Sequence, residues 1–226
     1  MTNEKQIQDD WDEYWTASEK KSTGKAYDVF ANFYRYNIII KILNHFIKKH
    51  FEPGEMLLHA GCGSGKVDMD VVKYASVTAL DISPEACKIY KLVHGEKAVV
   101  KEGSIFNLPF DDNSFDGIYN LGVMEHFTEE EIQTILKEFY RVLKPKGKIV
   151  LFWPPVNGVT VKVLDSAHFI LNNILKKNIK LHPDEITRLR NKEHAMNIIK
   201  KTDFAFIEFY FGIKDFFTQA VVVAQK

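Results

Sequence analysis

From Met56 onward the chain alternates short apolar runs with stretches in which apolar residues recur at helical spacing. Met56–Ala60, Val77–Leu80, Ala98–Lys101, Phe115–Tyr119 and Lys148–Trp153 have the length and composition of buried strands. Between them the pattern predicts helices near Lys66–Tyr74, Pro84–Val93 and Glu129–Leu143. In the last of these, Ile132, Ile135, Leu136, Phe139 and Leu143 form one apolar stripe. Thr128, with Glu131 three residues on, has the form of a capping box and predicts where that helix begins. Ser83-Pro84 predicts the start of the preceding one, an N-cap followed by proline at the first helical position. Strands separated by helices imply parallel pairing through right-handed crossovers, hence an α/β doubly wound sheet.

Two stretches flank this core. Residues 1–50 read as helices rich in aromatics, with Trp11 and Trp15 one turn apart, then Tyr27, Phe30, Phe33 and Tyr34. Residues 155–201 carry an amphipathic stretch around Val161–Leu175 and a second helical stretch near Asp184–Lys201. Phe204–Phe211 and Phe216–Ala224 then read as two strands whose short connection suits an antiparallel pair at a sheet edge. No repeat, low-complexity tract or linker divides the chain, so one domain spanning 1–226 is expected.

Composition narrows the class without naming a function. Hydrophobic residues make up 46% and charged residues 27% of the chain, the balance of a soluble globular domain. Thirty basic and thirty acidic residues cancel, which leaves no net field for a nucleic-acid backbone. Two cysteines, Cys62 and Cys87, cannot make a disulfide framework, and no spacing suggests zinc. The first dozen residues are polar and unlike a secretory signal, and no apolar run is long enough for a bilayer, so a cytoplasmic protein is expected.

The chemistry concentrates after the first strand, in Ala60-Gly61-Cys62-Gly63-Ser64-Gly65-Lys66. Glycine allows positive φ and lets backbone N–H groups approach a ligand without a Cβ in the way. Asp81 follows twenty residues after Gly61, at the end of the second strand, where a carboxylate can accept from both ribose hydroxyls. Loop and acid together read as a site for a nucleoside-containing cofactor. A P-loop is ruled out, because Ala60 replaces its first glycine and Val67 its magnesium-binding hydroxyl. A dinucleotide fold is disfavoured, because Lys66 stands where its third glycine belongs.

The glycine loop resembles motif I of class I S-adenosylmethionine (SAM)-dependent methyltransferases, and three later stretches occur in that family's order. These are Leu80-Asp81-Ile82-Ser83, then Asn107-Leu108-Pro109-Phe110 with Asn113-Ser114-Phe115-Asp116, then Arg141-Val142-Leu143-Lys144-Pro145-Lys146-Gly147. The Leu-Pro-Phe stretch is similar to the small-molecule branch called type 11. The resemblance implies a Rossmann-like, doubly wound, seven-stranded sheet, mostly parallel with an antiparallel last strand and helices on both faces. It implies SAM as methyl donor and S-adenosylhomocysteine as product, no metal, and a small-molecule acceptor.

By the same resemblance, backbone groups of Ala60, Gly61 and Gly63 approach the methionine part of SAM, Asp81 holds the ribose, and Ile82 packs on the adenine. Ser104 stands where the family commonly has an Asp for the adenine amino group, with Ile105 beside it. Asn120 and Leu121 face the methionine and the reacting methyl, and Arg35 is placed to pair with the methionine carboxylate. His126 is the candidate general base, needed only if the acceptor must lose a proton, with a helix-capping role as its alternative. Glu125 reads as scaffold. The aromatic segment 1–50 is a candidate lid, with Tyr27 its best ring and an amphipathic helix covering the sheet as the alternative for Trp11 and Trp15; 155–201 is a candidate acceptor insertion with His168, His182 and Glu185, for which surface or capping roles are the alternative. A nicotinamide-dependent oxidoreductase and a non-catalytic SAM-binding partner protein remain as alternatives. Nucleic acid is not expected as acceptor, and the chain is expected as monomer or homodimer.

Overall fold

The computed structural model describes residues 4–20, 33–163, 173, 176 and 185–226. Seven strands form one sheet: β1 Met56–Ala60, β2 Ser76–Asp81, β3 Ala98–Glu102, β4 Phe115–Leu121, β5 Leu143–Trp153, β6 Ala205–Tyr210 and β7 Ala220–Gln225. Their order is β3-β2-β1-β4-β5-β7-β6. β1 to β5 run parallel, and β7 lies antiparallel between β5 and β6. The antiparallel edge pair read from the sequence is therefore present. The strand order reverses between β1 and β4, and the crevice at such a switch point is where open α/β sheets bind ligands.

The helices are α1 Glu4–Lys20, α2 Ile40–His50, α3 Val71–Tyr74, α4 Pro84–His94, α5 Glu129–Val142 and α6 Lys192–Lys200, with a π-type turn at Arg35–Ile39 leading into α2. The stripe of α5 packs with Leu58, Ile118, Ile149 and Leu151 on one face of the sheet. On the other, Leu43, Phe46 and Ile47 of α2 meet Leu57, Tyr119, Val150 and Phe152. Both predicted helix starts hold. Thr128 and Glu131 bond reciprocally, and Ser83 Oγ accepts from the Ala86 N–H at 3.1 Å. No helix among the described residues is long and apolar enough to cross a membrane.

Four predicted boundaries are corrected. The helix expected from Lys66 forms only at α3, because Asp68 turns inward to buried polar partners and its N–H goes to the Gly65 carbonyl at 2.9 Å. β5 starts at Leu143 rather than Lys148, with a register shift against β4 and left-handed Lys146 absorbing the extra residues. Residues 185–191 are not helical: Leu189 bridges to Pro155, and α6 starts only where Asn191 caps it by accepting from the His194 N–H at 2.9 Å. β7 begins at Ala220, because Phe216 and Phe217 adopt left-handed φ angles that no strand accommodates. Tyr27, His168 and His182 lie outside the described residues.

Replacing Thr128 with Ala removes one half of the capping box, so stability should fall by about 1 kcal/mol. Urea unfolding of the two proteins checks this through the midpoint at unchanged slope.

Candidate active site

The loop after β1 folds back on itself because Gly61, Gly63 and Gly65 all take left-handed φ angles, of 76°, 50° and 64°. The N–H groups of Gly61 and Cys62 both go to the Leu80 carbonyl, at 2.8 and 3.0 Å. The Gly63 N–H donates to Asp81 Oδ2 at 2.8 Å, and the Ser83 N–H to Asp81 Oδ1 at 3.0 Å. Asp81 is 7% exposed. Burial raises its pKa, against the lowering effect of those two N–H donors. A Cβ on Gly63 would stand 2.6 Å from Trp15 Cζ2, and one on Gly65 2.3 Å from Tyr90 Cδ2. Bare backbone at these two positions is thus a packing requirement as well as a conformational one.

Beneath the loop lies a buried polar cluster that the sequence reading missed. Asp68 Oδ2 accepts from His59 Nδ1 and from the Tyr90 hydroxyl, both at 2.6 Å. The His59 ring stacks on Tyr119 with centroids 4.4 Å apart. His94 Nε2 meets the Gly65 carbonyl at 2.7 Å. A histidine inside the otherwise apolar run Met56–Ala60 was the available signal, but its partner Asp68 comes close only through the fold.

Over the loop lies a cavity of about 230 Å³. Gly61, Cys62, Gly63 and Asp81 form its floor, and Ile82, Ser104, Ile105 and Phe106 one wall. Leu121, Gly122, Val123, His126 and Phe127 form the wall after β4. Ile7, Trp11 and Trp15 of α1 close the top, with Arg35 nearby in the lining. Gly61, Gly63, Asp81, Ile82, Ser104, Ile105, Leu121, His126 and Arg35 are thus brought together. Ala60 and Asn120, expected to face the cofactor, are fully buried and are not among the residues lining the cavity. The Asn120 amide has no hydrogen-bond partner there on either its nitrogen or its oxygen. Ser104 Oγ already accepts from the Phe106 N–H at 3.2 Å. The loop after β4 was undervalued in the sequence, because Val123 and Phe127 look like ordinary core residues there.

Two polar contacts fasten the flanking segments to the cavity edge. Asp12 Oδ1 of α1 accepts from Ser83 Oγ at 2.7 Å and from the Glu85 N–H at 3.0 Å, at the first turn of α4. The Glu125 carbonyl accepts from Ile186 and Thr187 N–H groups, at 2.6 and 2.9 Å. Trp11 meets the His126 ring edge-on at 5.0 Å. Glu185, proposed for the acceptor pocket, pairs with Arg188 and is absent from the cavity lining. Burial pushes the Cys62 and Cys87 thiols up, so neither is a ready nucleophile.

Glu125 is 4% exposed, and its Oε2 has no hydrogen-bond partner. Burial pushes its carboxyl to about 8 from an ordinary 4.5, with Glu185 adding to the rise and Arg188 opposing it. Folding therefore favours the neutral acid. The stability this contributes is complete below the unfolded value of 4.5 and is lost as pH rises towards 8. Each pH unit between the two values is worth about 1.4 kcal/mol. Glu125→Gln removes the titration, so its melting temperature relative to the parent chain should rise between pH 5 and pH 9. Thermal melts across that range check it, and a constant difference would refute it.

Residues 58–151 match the methyltransferase domain family. Over 115 residues the chain is 30% identical to an uncharacterized methyltransferase of Synechocystis, covering 46% of this chain and 54% of that one. Over 124 residues it is 28% identical to 24-methylenesterol C-methyltransferase 2 of Arabidopsis thaliana, covering 52% of this chain and 34% of that one. The aligned stretch thus spans about half or less of these relatives. Magnesium protoporphyrin IX methyltransferase from Synechocystis, solved with S-adenosylhomocysteine bound, superposes with a TM-score of 0.70 at 14% identity, covering 99% of this chain and 100% of that one. At that identity the likeness speaks for the fold. Motif order, sheet and matched stretch agree on residues 58–151 as a methyltransferase domain similar to those of class I SAM-dependent methyltransferases.

Proposed function

We propose that the chain transfers a methyl group from SAM to an oxygen, nitrogen or carbon atom of a small or medium-sized molecule. The observation that carries this reading is the Asp81 carboxylate in the cavity floor, bonded to the Gly63 N–H of a loop with three left-handed glycines. Carboxylate and bare backbone side by side fit a ribose and the chain attached to it. When bound, SAM supplies a methyl group already activated by a sulfonium.

The protein's part is to hold, orient and keep dry. Asp81 holds the ribose; Ile82 and Ile105 give the adenine two apolar surfaces, and Ser104 Oγ reaches its edge. Gly61 and Gly63 offer backbone to the methionine part, and Arg35 pairs with its carboxylate. Leu121 and Val123 shape the side where the methyl leaves. Asn120, with its unpartnered amide one residue before Leu121, is available to the methionine part if its side chain turns. Trp11 and Trp15 on α1 act as the lid, held at the rim by the Asp12 bonds to Ser83 and Glu85. Excluding water and aligning reactants in this way can contribute about 7–11 kcal/mol to such a displacement. For an acceptor that must lose a proton, His126 in the wall takes it, with buried Glu125 behind: Oε1 stands 3.8 Å from His126 Nε2.

Calorimetric titration with SAM, S-adenosylhomocysteine and NAD(H) tests the cofactor. Binding of NAD(H) in preference to SAM would overturn the assignment. Asp81→Ala should weaken SAM binding by well over tenfold, since a hydrogen bond to a charged group is worth about 1.5–3 kcal/mol. Asp12→Ala should leave the fold intact and weaken SAM binding by about five- to tenfold, the effect of losing a ~1 kcal/mol contact. Unchanged affinity in Asp12→Ala would remove α1 from the site. Methyl release from a metabolite panel then reads out turnover, and SAM binding without release from any acceptor would favour a partner protein.

A further inference from the structure

A histidine inside a buried strand is costly unless its polar atoms find partners. His59 is the one polar side chain of β1, and it is 2% exposed. Its Nδ1 meets Asp68 Oδ2 at 2.6 Å. A carboxylate oxygen only accepts, so Nδ1 carries the ring proton in this bond, and Nε2 of the neutral ring is left as an acceptor. Among the described residues Nε2 has no hydrogen-bond partner, and His59 lines the cavity. Asp68 holds this arrangement in place. It is fully buried, and its Oδ2 also accepts from the Tyr90 hydroxyl at 2.6 Å. Burial, and then the Asp68 charge, push the Tyr90 phenol up, so it stays the donor. From β4, Tyr119 stacks on the His59 ring with centroids 4.4 Å apart. No lysine or arginine pairs with Asp68 among the described residues, and its Oδ1 has no hydrogen-bond partner. The dyad thus offers the cavity an acceptor nitrogen backed by one negative charge, which suits a ligand N–H that carries positive charge.

The order of strands identifies that N–H. Ser104 and Ile105 follow β3, Asp81 ends β2, His59 belongs to β1 and Leu121 ends β4, and all of them line the cavity. In the sheet these strands stand side by side as β3-β2-β1-β4. With the adenine at Ser104 and Ile105, the ribose at Asp81 and the methyl leaving past Leu121, as proposed above, His59 falls at the amino-acid end of the cofactor. SAM carries N–H donors on its adenine amino group and on its α-ammonium, and only the ammonium belongs to that end. Arg35, assigned above to the carboxylate, lines the same cavity, so each charge of the zwitterion has a partner.

The geometry points to the His59–Asp68 dyad as the receptor for the α-ammonium of the cofactor, with His59 Nε2 accepting its N–H. This assignment rests on the SAM reading above. Calorimetry with S-adenosylhomocysteine and three relatives of it tests the assignment. The relatives are its deaminated analogue, decarboxylated SAM, which keeps the amine without the carboxylate, and methylthioadenosine, which lacks the amino-acid end. To the parent chain the deaminated analogue should bind about tenfold or more weakly than S-adenosylhomocysteine, the effect of losing a hydrogen bond to a charged group. His59→Phe should weaken S-adenosylhomocysteine and decarboxylated SAM by a similar factor and leave the deaminated analogue and methylthioadenosine at parental affinity. His59→Gln, which keeps a polar acceptor, should recover part of the loss. Equal affinity of the parent for S-adenosylhomocysteine and its deaminated analogue would overturn the assignment without any variant. Unchanged S-adenosylhomocysteine affinity in His59→Phe would overturn it as well. A loss in that variant shared by methylthioadenosine would leave His59 as a brace of the loop and nothing more, and a loss shared by the deaminated analogue alone would give His59 to the carboxylate. A parent chain that binds none of these ligands would instead remove the SAM reading itself.

Discussion

The bond from the Gly63 N–H to the Asp81 carboxylate ties the ends of two adjacent parallel strands together, and the site is arranged around it. A backbone turn this tight would leave N–H groups without acceptors, and burying them so would be costly. The Leu80 carbonyl takes two of them and Asp81 a third. In return Asp81 is kept buried, with both carboxylate oxygens on backbone N–H groups, where it lines the cavity. The same residue therefore shapes the loop and presents a carboxylate to whatever the loop encloses.

Support for that arrangement comes from below and above. From below, the buried cluster of His59, Asp68 and Tyr90 braces the loop, and Tyr90 occupies the space that a side chain at Gly65 would need. From above, Asp12 attaches α1 two residues beyond Asp81, at Ser83. Short polar contacts at the rim hold an apolar roof of Ile7, Trp11 and Trp15 over the cavity, with Ile7 also packed against the main core of the sheet. That suits chemistry in which water must be kept from a reactive methyl group. On the opposite wall, Glu125 fastens the segment around Ile186 through its backbone, while burial raises the pKa of its carboxyl, 3.8 Å from His126 Nε2.

The strands and helices of the core were legible in the sequence wherever local signals agreed with burial. The stripe of α5 and its Thr128–Glu131 cap are one such case, and the apolar runs of β1, β2 and β4 another, whereas β3, expected to be buried, forms as an edge strand with Val99 exposed. Boundaries slipped where a distant partner overrode the local pattern. Residues 66–70 have helical spacing but give way to Asp68 turning inward, and residues 185–191 are held extended by Pro155 and Glu125. Phe216 and Phe217 read as strand, since nothing local reveals that Asp215 will be buried and bend the chain left-handed.

By itself, the sequence determined the order of elements, the bare backbone of the glycine loop and the acid that follows it. Those are properties of residues near one another in the chain: hydrophobic period, glycine's freedom and a carboxylate at a strand's end. Only the tertiary structure decided that Ala60 and Asn120 are fully buried, that His59 finds Asp68, and that burial pushes the Glu125 carboxyl up. Burial and pairing belong to neighbours brought from distant parts of the chain, and no local pattern records which of them will meet.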